Sequence, residues 1–264
     1  GLIDSISSNR SGIHNVKINC DQNVYIDVNH ALSQQPRVEL RNLKTDELIK
    51  DISPDQDVRI EQFGLTPPKL LKIPHEKSEY LNSAVFYPDE NEYGPGPYPT
   101  VVYVYGGPHV QLVTDSWGLT ANLRLQYLRD QGFLVTVVDN HGSNRRGVSF
   151  ESSIKNKLGE IEVNDQKLML DWLIDQGLTD EERVGVFGWS YGGYMTLMCM
   201  AKYPELFRVG AAGAPVVNWQ LYDTHYTERY LGLLEDNYEN YDLSNVTTYA
   251  KNLGGELMII HGMI

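Results

Sequence analysis

Positive charge is scarce in this chain. Lys and Arg number 22 against 35 Asp and Glu, a formal net charge of −13 over 264 residues. Nucleic-acid and anionic-membrane surfaces need clustered Lys and Arg, so this balance argues against both; acidity alone indicates solubility and selects no substrate. Cysteine is scarcer still. Cys20 and Cys199 stand far apart in no metal-ligand spacing, and two cysteines do not decide a redox compartment. Cys199, among Met195, Leu197, Met198 and Met200, reads as a buried thiol. No run approaches the roughly 18 apolar residues of a membrane span. The start, Gly1-Leu2-Ile3-Asp4, has neither an initiator Met nor a signal-peptide shape and reads as a cut end, so the compartment stays open.

What is present is an ordinary globular composition, 41% hydrophobic and 22% charged, in a chain long enough for one large domain or two modest ones. Up to Lys72 the pattern is short alternating strands at 14–19, 23–28 and 36–41 with polar turns between, an antiparallel meander. About four such strands bury little alone, which points to the end of a larger β structure such as a propeller, although no second copy of the unit is visible. Gly64-Leu65-Thr66-Pro67-Pro68 marks the boundary zone, giving domains at 1–72 and 73–264. Beyond it strands at 83–87, 100–105, 133–138, 184–187, 209–213 and 257–260 are interleaved with helices at 120–131, 163–176 and 191–202. That alternation predicts an α/β fold with a mostly parallel sheet and flanking helices.

Gly188-Trp189-Ser190-Tyr191-Gly192-Gly193 follows a buried strand and opens an amphipathic helix. In that context G-x-S-x-G is a nucleophile elbow. Ser190 must occupy a strained strand-to-helix turn so that its hydroxyl clears the sheet, and residues two positions either side then crowd the turn so that only Gly fits. The helix start behind it offers unpaired N–H groups and a positive dipole to a developing oxyanion.

Four further motifs follow in order: Val104-Tyr105-Gly106-Gly107-Pro108, Asp139-Asn140-His141-Gly142-Ser143 with Arg146-Gly147, Ala214-Pro215-Val216, and the run from Trp219 to Tyr230. Together with the elbow they resemble the prolyl oligopeptidase family of serine peptidases, in its dipeptidyl peptidase IV-like branch. His141 departs from the family, which usually has Arg there. The resemblance implies an α/β-hydrolase fold preceded by the end of a β-propeller, and no cofactor or metal. It implies Ser190 as nucleophile, with the Tyr105 hydroxyl and the Tyr191 backbone N–H as oxyanion donors. Val216, Trp219, Tyr222 and Tyr226 would then line the pocket for the residue before the scissile bond. Flat aromatic walls suit a proline ring, which is compact and has no N–H to satisfy. Trp219, Tyr222 and Tyr226 lie at i, i+3 and i+7, one face of a helical segment. The implied substrates are peptides with Pro or Ala at the second position, and dimers are common in the branch.

A serine nucleophile needs an imidazole base and an orienting carboxylate, which α/β-hydrolases supply in the order Ser, Asp or Glu, His. Of seven histidines only His225 and His261 follow Ser190. His225 lies inside the pocket motif and His261 at the end of the last strand, so neither suits the role. The sequence therefore predicts a truncated peptidase domain that lacks the triad Asp and His and does not turn over alone. Another activity of the same family, oligopeptidase or acylaminoacyl peptidase, and a non-catalytic scaffold on the hydrolase fold are the competing readings.

Overall fold

The computed structural model describes residues 10–55, 58–76 and 78–262. They form two compact units, one of residues up to 68 with 114–126 and one of residues 69–113 with 127–264.

The first unit contains β1 (Ile13–Asn19), β2 (Val24–Ala31), β3 (Gln34–Asn42) and β4 (Leu48–Asp51), paired antiparallel in that order. The predicted meander is present, and among the described residues it stays a single four-stranded sheet without closure into a propeller. Its buried side is polar. Asp27 is fully buried and accepts from Arg10 at 2.6 Å and pairs with His14 at 2.8 Å, while buried Glu39 accepts from Arg41 at 2.8 Å. Charges removed from water need such partners. Burial, and then the bond its hydroxyl donates to Asp46, push the Tyr25 phenol up to about 12. The apolar residues take the other face, where Ile26 pairs with Leu40 and Val28 with Val38.

The second unit is built on a seven-stranded mixed sheet. Its strands are β5 (Lys69–His75), β6 (Glu79–Phe86), β7 (Tyr98–Tyr103), β8 (Leu134–Asp139), β9 (Thr179–Trp189), β10 (Val209–Gly213) and β11 (Glu256–Ile260). The order is β11-β10-β9-β7-β8-β6-β5. The five strands from β11 to β8 run parallel, and β6 and β5 are added antiparallel. Every residue of β8 is buried, as a continuous apolar run in a covered parallel sheet requires. Two long helices pack against the sheet, α1 (Ile161–Asp175) and α2 (Tyr191–Lys202). All of α2 is buried except Lys202, and Cys199 lies within it as the buried thiol the sequence suggested. The helix expected over 120–131 is instead two pieces, Trp117–Thr120 and Leu123–Asp130, because the chain leaves helical hydrogen bonding at Ala121 and restarts.

This topology places the site. Parallel β7, β8 and β9 end at one edge of the sheet. Antiparallel β6 brings Asn82 opposite Asp139, so the paired residues His75 and Glu79 lie at that same edge. At the far side β11 pairs, among the described residues, with β10 alone and leaves Met258 and Ile259 each 56% exposed.

Candidate active site

Ser190 sits between the last residue of β9 and the first of α2, with φ 59° and ψ −117°. This left-handed backbone is costly for a residue with a Cβ, and the surrounding bonds hold it there. Its N–H donates to the Gly213 carbonyl at 2.8 Å, and its own carbonyl accepts from Tyr194 N–H at 3.0 Å. The two glycines flanking it are sterically required. A Cβ on Gly188 would lie 2.3 Å from the Gly192 carbonyl oxygen, and one on Gly192 would lie 2.2 Å from the Val104 carbonyl oxygen. Strand, turn and helix thus meet at a spacing that admits hydrogens only.

Tyr105 follows β7 and is half-buried, its ring centroid 6.0 Å from that of Tyr191. Burial, then the neighbouring phenols of Tyr222 and Tyr230, push its pKa up, so it keeps its proton and remains a donor at neutral pH. The Tyr191 side chain turns inward instead, donating to Glu162 Oε1 at 2.7 Å, while its backbone N–H belongs to the unpaired first turn of α2.

Three of the four predicted pocket residues, Trp219, Tyr222 and Tyr226, come together, though not on one helix. Asn218 caps a short 3₁₀ turn, Trp219–Leu221; Tyr222 is extended; Asp223 then caps α3 (Thr224–Leu231) by accepting from Tyr226 N–H at 2.9 Å. The cap resets the chain direction, which corrects the single helical face expected from the spacing. The rings converge even so. Trp219 stacks on Tyr226 at 5.9 Å, and Tyr222 stands edge-on to both. Trp219 is buried, Tyr222 is 43% exposed, and Val216 packs at the core margin. The Tyr226 phenol is driven up by burial and then by its neighbour Tyr105.

His225 and His261 are both exposed. The expectation that the chain lacks triad-like Asp and His is nevertheless overturned. His75, His141 and Asp165 cluster, with ligand-capable atoms all within 4.8 Å of one another. Asp165 Oδ2 accepts from His141 Nδ1 and from His141 N–H, both at 2.7 Å, and Asp165 Oδ1 lies 3.5 Å from His75 Nε2. The prediction of inactivity drawn from that absence loses its ground. Sequence reasoning missed the cluster because it searched only beyond Ser190, whereas these residues precede it on β5, the β8 loop and α1. An imidazole bonded to a buried carboxylate can take up a proton or hold a cation. Ser190 Oγ makes no side-chain hydrogen bond among the described residues, so the cluster stands as a separate group.

Helix α1 carries the other residues that sequence reasoning missed. Glu162, Asp165 and Gln166 are buried on a stripe that continues as Met169, Leu170 and Leu173. Gln166 Nε2 donates to Asn140 Oδ1 at 3.0 Å, and Asn140 Nδ2 donates to the Gly106 carbonyl at 3.0 Å. Polar residues at core positions of an amphipathic helix were the available signal. Burial pushes the Glu162 carboxyl up to about 7, despite bonds from Gly159 N–H and Tyr191.

Comparison with known proteins agrees with this geometry. Residues 119–264, more than half the chain, match the prolyl oligopeptidase family. Dipeptidyl peptidase 8 of Mus musculus is 40% identical over 203 residues, covering 75% of this chain and 23% of its own length. Prolyl endopeptidase FAP of Mus musculus is 37% identical over 171 residues, 62% of this chain and 22% of its own. The crystal structure of Porphyromonas gingivalis dipeptidyl peptidase 4 superposes with a TM-score of 0.83 at 27% identity, covering 96% of this chain and 36% of that one. The chain therefore spans about a quarter of the length of these curated relatives.

Proposed function

The chain belongs to the prolyl oligopeptidase family, and from that premise we propose that it is the catalytic portion of a serine peptidase of the dipeptidyl peptidase type. The strained Ser190 turn carries the reading. In it, residues 73–264 form an α/β-hydrolase peptidase domain, and the meander within 1–72 is the end of a propeller. Ser190 Oγ attacks the peptide carbonyl and forms the acyl C–O bond, its proton passing through a general base to the leaving amine as the C–N bond breaks. The Tyr105 hydroxyl and the Tyr191 backbone N–H donate to the oxyanion that results, two fixed donors of the kind worth roughly 3 kcal/mol each in such sites.

Val216, Trp219, Tyr222 and Tyr226 receive the side chain before the scissile bond. A cluster of rings on buried Trp219 favours a flat apolar ring with no N–H, which selects peptides with Pro, or the smaller Ala, at the second position. The identity to a dipeptidyl peptidase supports removal of residues from a free N-terminus. The identity to a prolyl endopeptidase makes internal cleavage the second reading.

Hydrolysis of free and N-blocked Xaa-Pro amides separates the two. The purified protein should cleave the free amide and leave the blocked one intact, and Ser190→Ala should abolish turnover. Equal rates on both substrates would favour the endopeptidase reading. Turnover unaffected by Ser190→Ala would overturn the proposed nucleophile.

A further inference from the structure

We propose that His75, His141 and Asp165 form a site for a divalent transition-metal ion of the zinc class, separate from the Ser190 centre. The three ligands come from three elements: the end of β5, the loop after β8, and the second turn of α1. Two are buried and the third is half-buried, so the site is built into the fold and is no surface cluster. An ion bonded at about 2.0–2.1 Å to nitrogen and oxygen holds tetrahedral ligand atoms roughly 3.3 Å apart. The separations here are 2.7 Å between His141 Nδ1 and Asp165 Oδ2, and 3.5 Å between His75 Nε2 and Asp165 Oδ1. All ligand atoms fall within 4.8 Å. Shifts of up to about 1.5 Å bring them to the required spacing.

The surroundings favour a cation. The cluster opens on a cavity of about 940 Å³ whose rim carries Glu76, Glu79 and Arg146, and neither Ser190 nor Tyr105 lines it. With Asp165 the charged side chains there sum to a negative total. Arg146 is already engaged, lying over the Tyr80 and Phe150 rings and donating to the Tyr80 carbonyl at 3.0 Å. The cavity gives an ion its route in and leaves room for water at the remaining coordination positions.

The supporting contacts are those that orient ligating histidines. His141 is stacked on Phe150 at 4.2 Å, which fixes its ring plane. His75 Nδ1 lies 3.1 Å from Ser78 Oγ. The ion replaces the two imidazole protons that now face Asp165. Each ring carries its proton on the other nitrogen instead; for His75 this means that Nδ1 gives up the bond it now accepts from Ser78 N–H at 3.2 Å and donates to the Ser78 hydroxyl. No net proton is released by the histidines. Ligand softness selects the metal: two imidazoles and one carboxylate suit Zn²⁺, Ni²⁺ or Co²⁺ better than Ca²⁺ or Mg²⁺, which favour oxygen shells.

The test uses chelator-treated protein titrated with ZnCl₂ in a calorimeter, with CoCl₂ absorption as the report of coordination geometry. One ion should bind per chain, and Co²⁺ should give the intense visible bands of a four-coordinate site. His75→Gln and His141→Arg should each weaken Zn²⁺ binding by more than about 100-fold, beyond the loss typical of a supporting residue alone. His141→Arg leaves Asp165 a hydrogen-bond donor at the same position, and circular dichroism checks that both variants retain the fold. Wild-type binding no tighter than in the two variants, or loss in only one of them, would overturn the three-ligand site. Ser190 chemistry on Xaa-Pro amides is read separately, so failure here and failure of the peptidase reading are distinguishable.

Discussion

At the residue scale the firmest constraint is the contact between Gly192 and the Val104 carbonyl. A methyl group placed there meets backbone from another strand, which cannot step aside as a flexible side chain would. Gly192→Ala should cost about 2–3 kcal/mol or more, in the range for overpacking a rigid interior. Urea denaturation reads this as a lower midpoint with an unchanged slope. The same substitution at exposed Gly118, where a Cβ meets nothing within 4 Å, should be nearly neutral. This local crowding was legible in the sequence, because strand, turn and helix are consecutive and the glycines can be counted from Ser190. The Tyr105–Tyr226 neighbourhood was legible only through the family resemblance. The His75–His141–Asp165 cluster was not, since nothing local ties the end of β5 to a helix formed after β8.

At the scale of elements, α1 does more than cover the sheet. Its first two turns bury three polar residues, and each reaches a different strand end: Glu162 the start of α2 through Tyr191, Asp165 the β8 loop through His141, and Gln166 the turn after β7 through Asn140. The helix was predicted at 163–176 and observed at Ile161–Asp175. What periodicity could not supply was the purpose of polar side chains at core positions, because that depends on carbonyls and rings from distant segments. One consequence concerns pH. Burial raises the Glu162 carboxyl from 4.5 to about 7 and that of Asp139 from 3.8 to about 6. Raised acid pKa values mean that the folded state binds more protons than the unfolded state between those limits. Stability contributed by the protonated acids is therefore full below about 4 and falls as pH rises towards 7. Glu162→Gln imitates the protonated acid and keeps an acceptor for Tyr191. It should flatten the decline between pH 5 and 7, raising stability at pH 8 by up to about 3 kcal/mol. Denaturation curves across that range decide; an unchanged slope would mean Glu162 does not titrate there.

At the scale of the whole molecule, the strand–helix alternation fixed the α/β class, while the antiparallel addition of β6 and β5 was not readable from periodicity. Strand direction leaves no trace in a pattern of two, so mixed pairing emerges only when Asn82 is found opposite Asp139. The edge at β11 is apolar and exposed. With Met258 and Ile259 open to solvent and the outer backbone unpaired among the described residues, this edge favours self-association. Ile259→Lys should weaken concentration-dependent association by about tenfold or more, equivalent to burying one aliphatic side chain per contact. Sedimentation velocity measures it directly. The three-point grip of α1 has a final implication. A helix fastened to three loops transmits any clamp on one of them to the others, and such coupling is thermodynamically reciprocal. Whatever factor an ion at Asp165 imposes on the affinity of a peptide mimic beside Ser190, the mimic must impose on the ion.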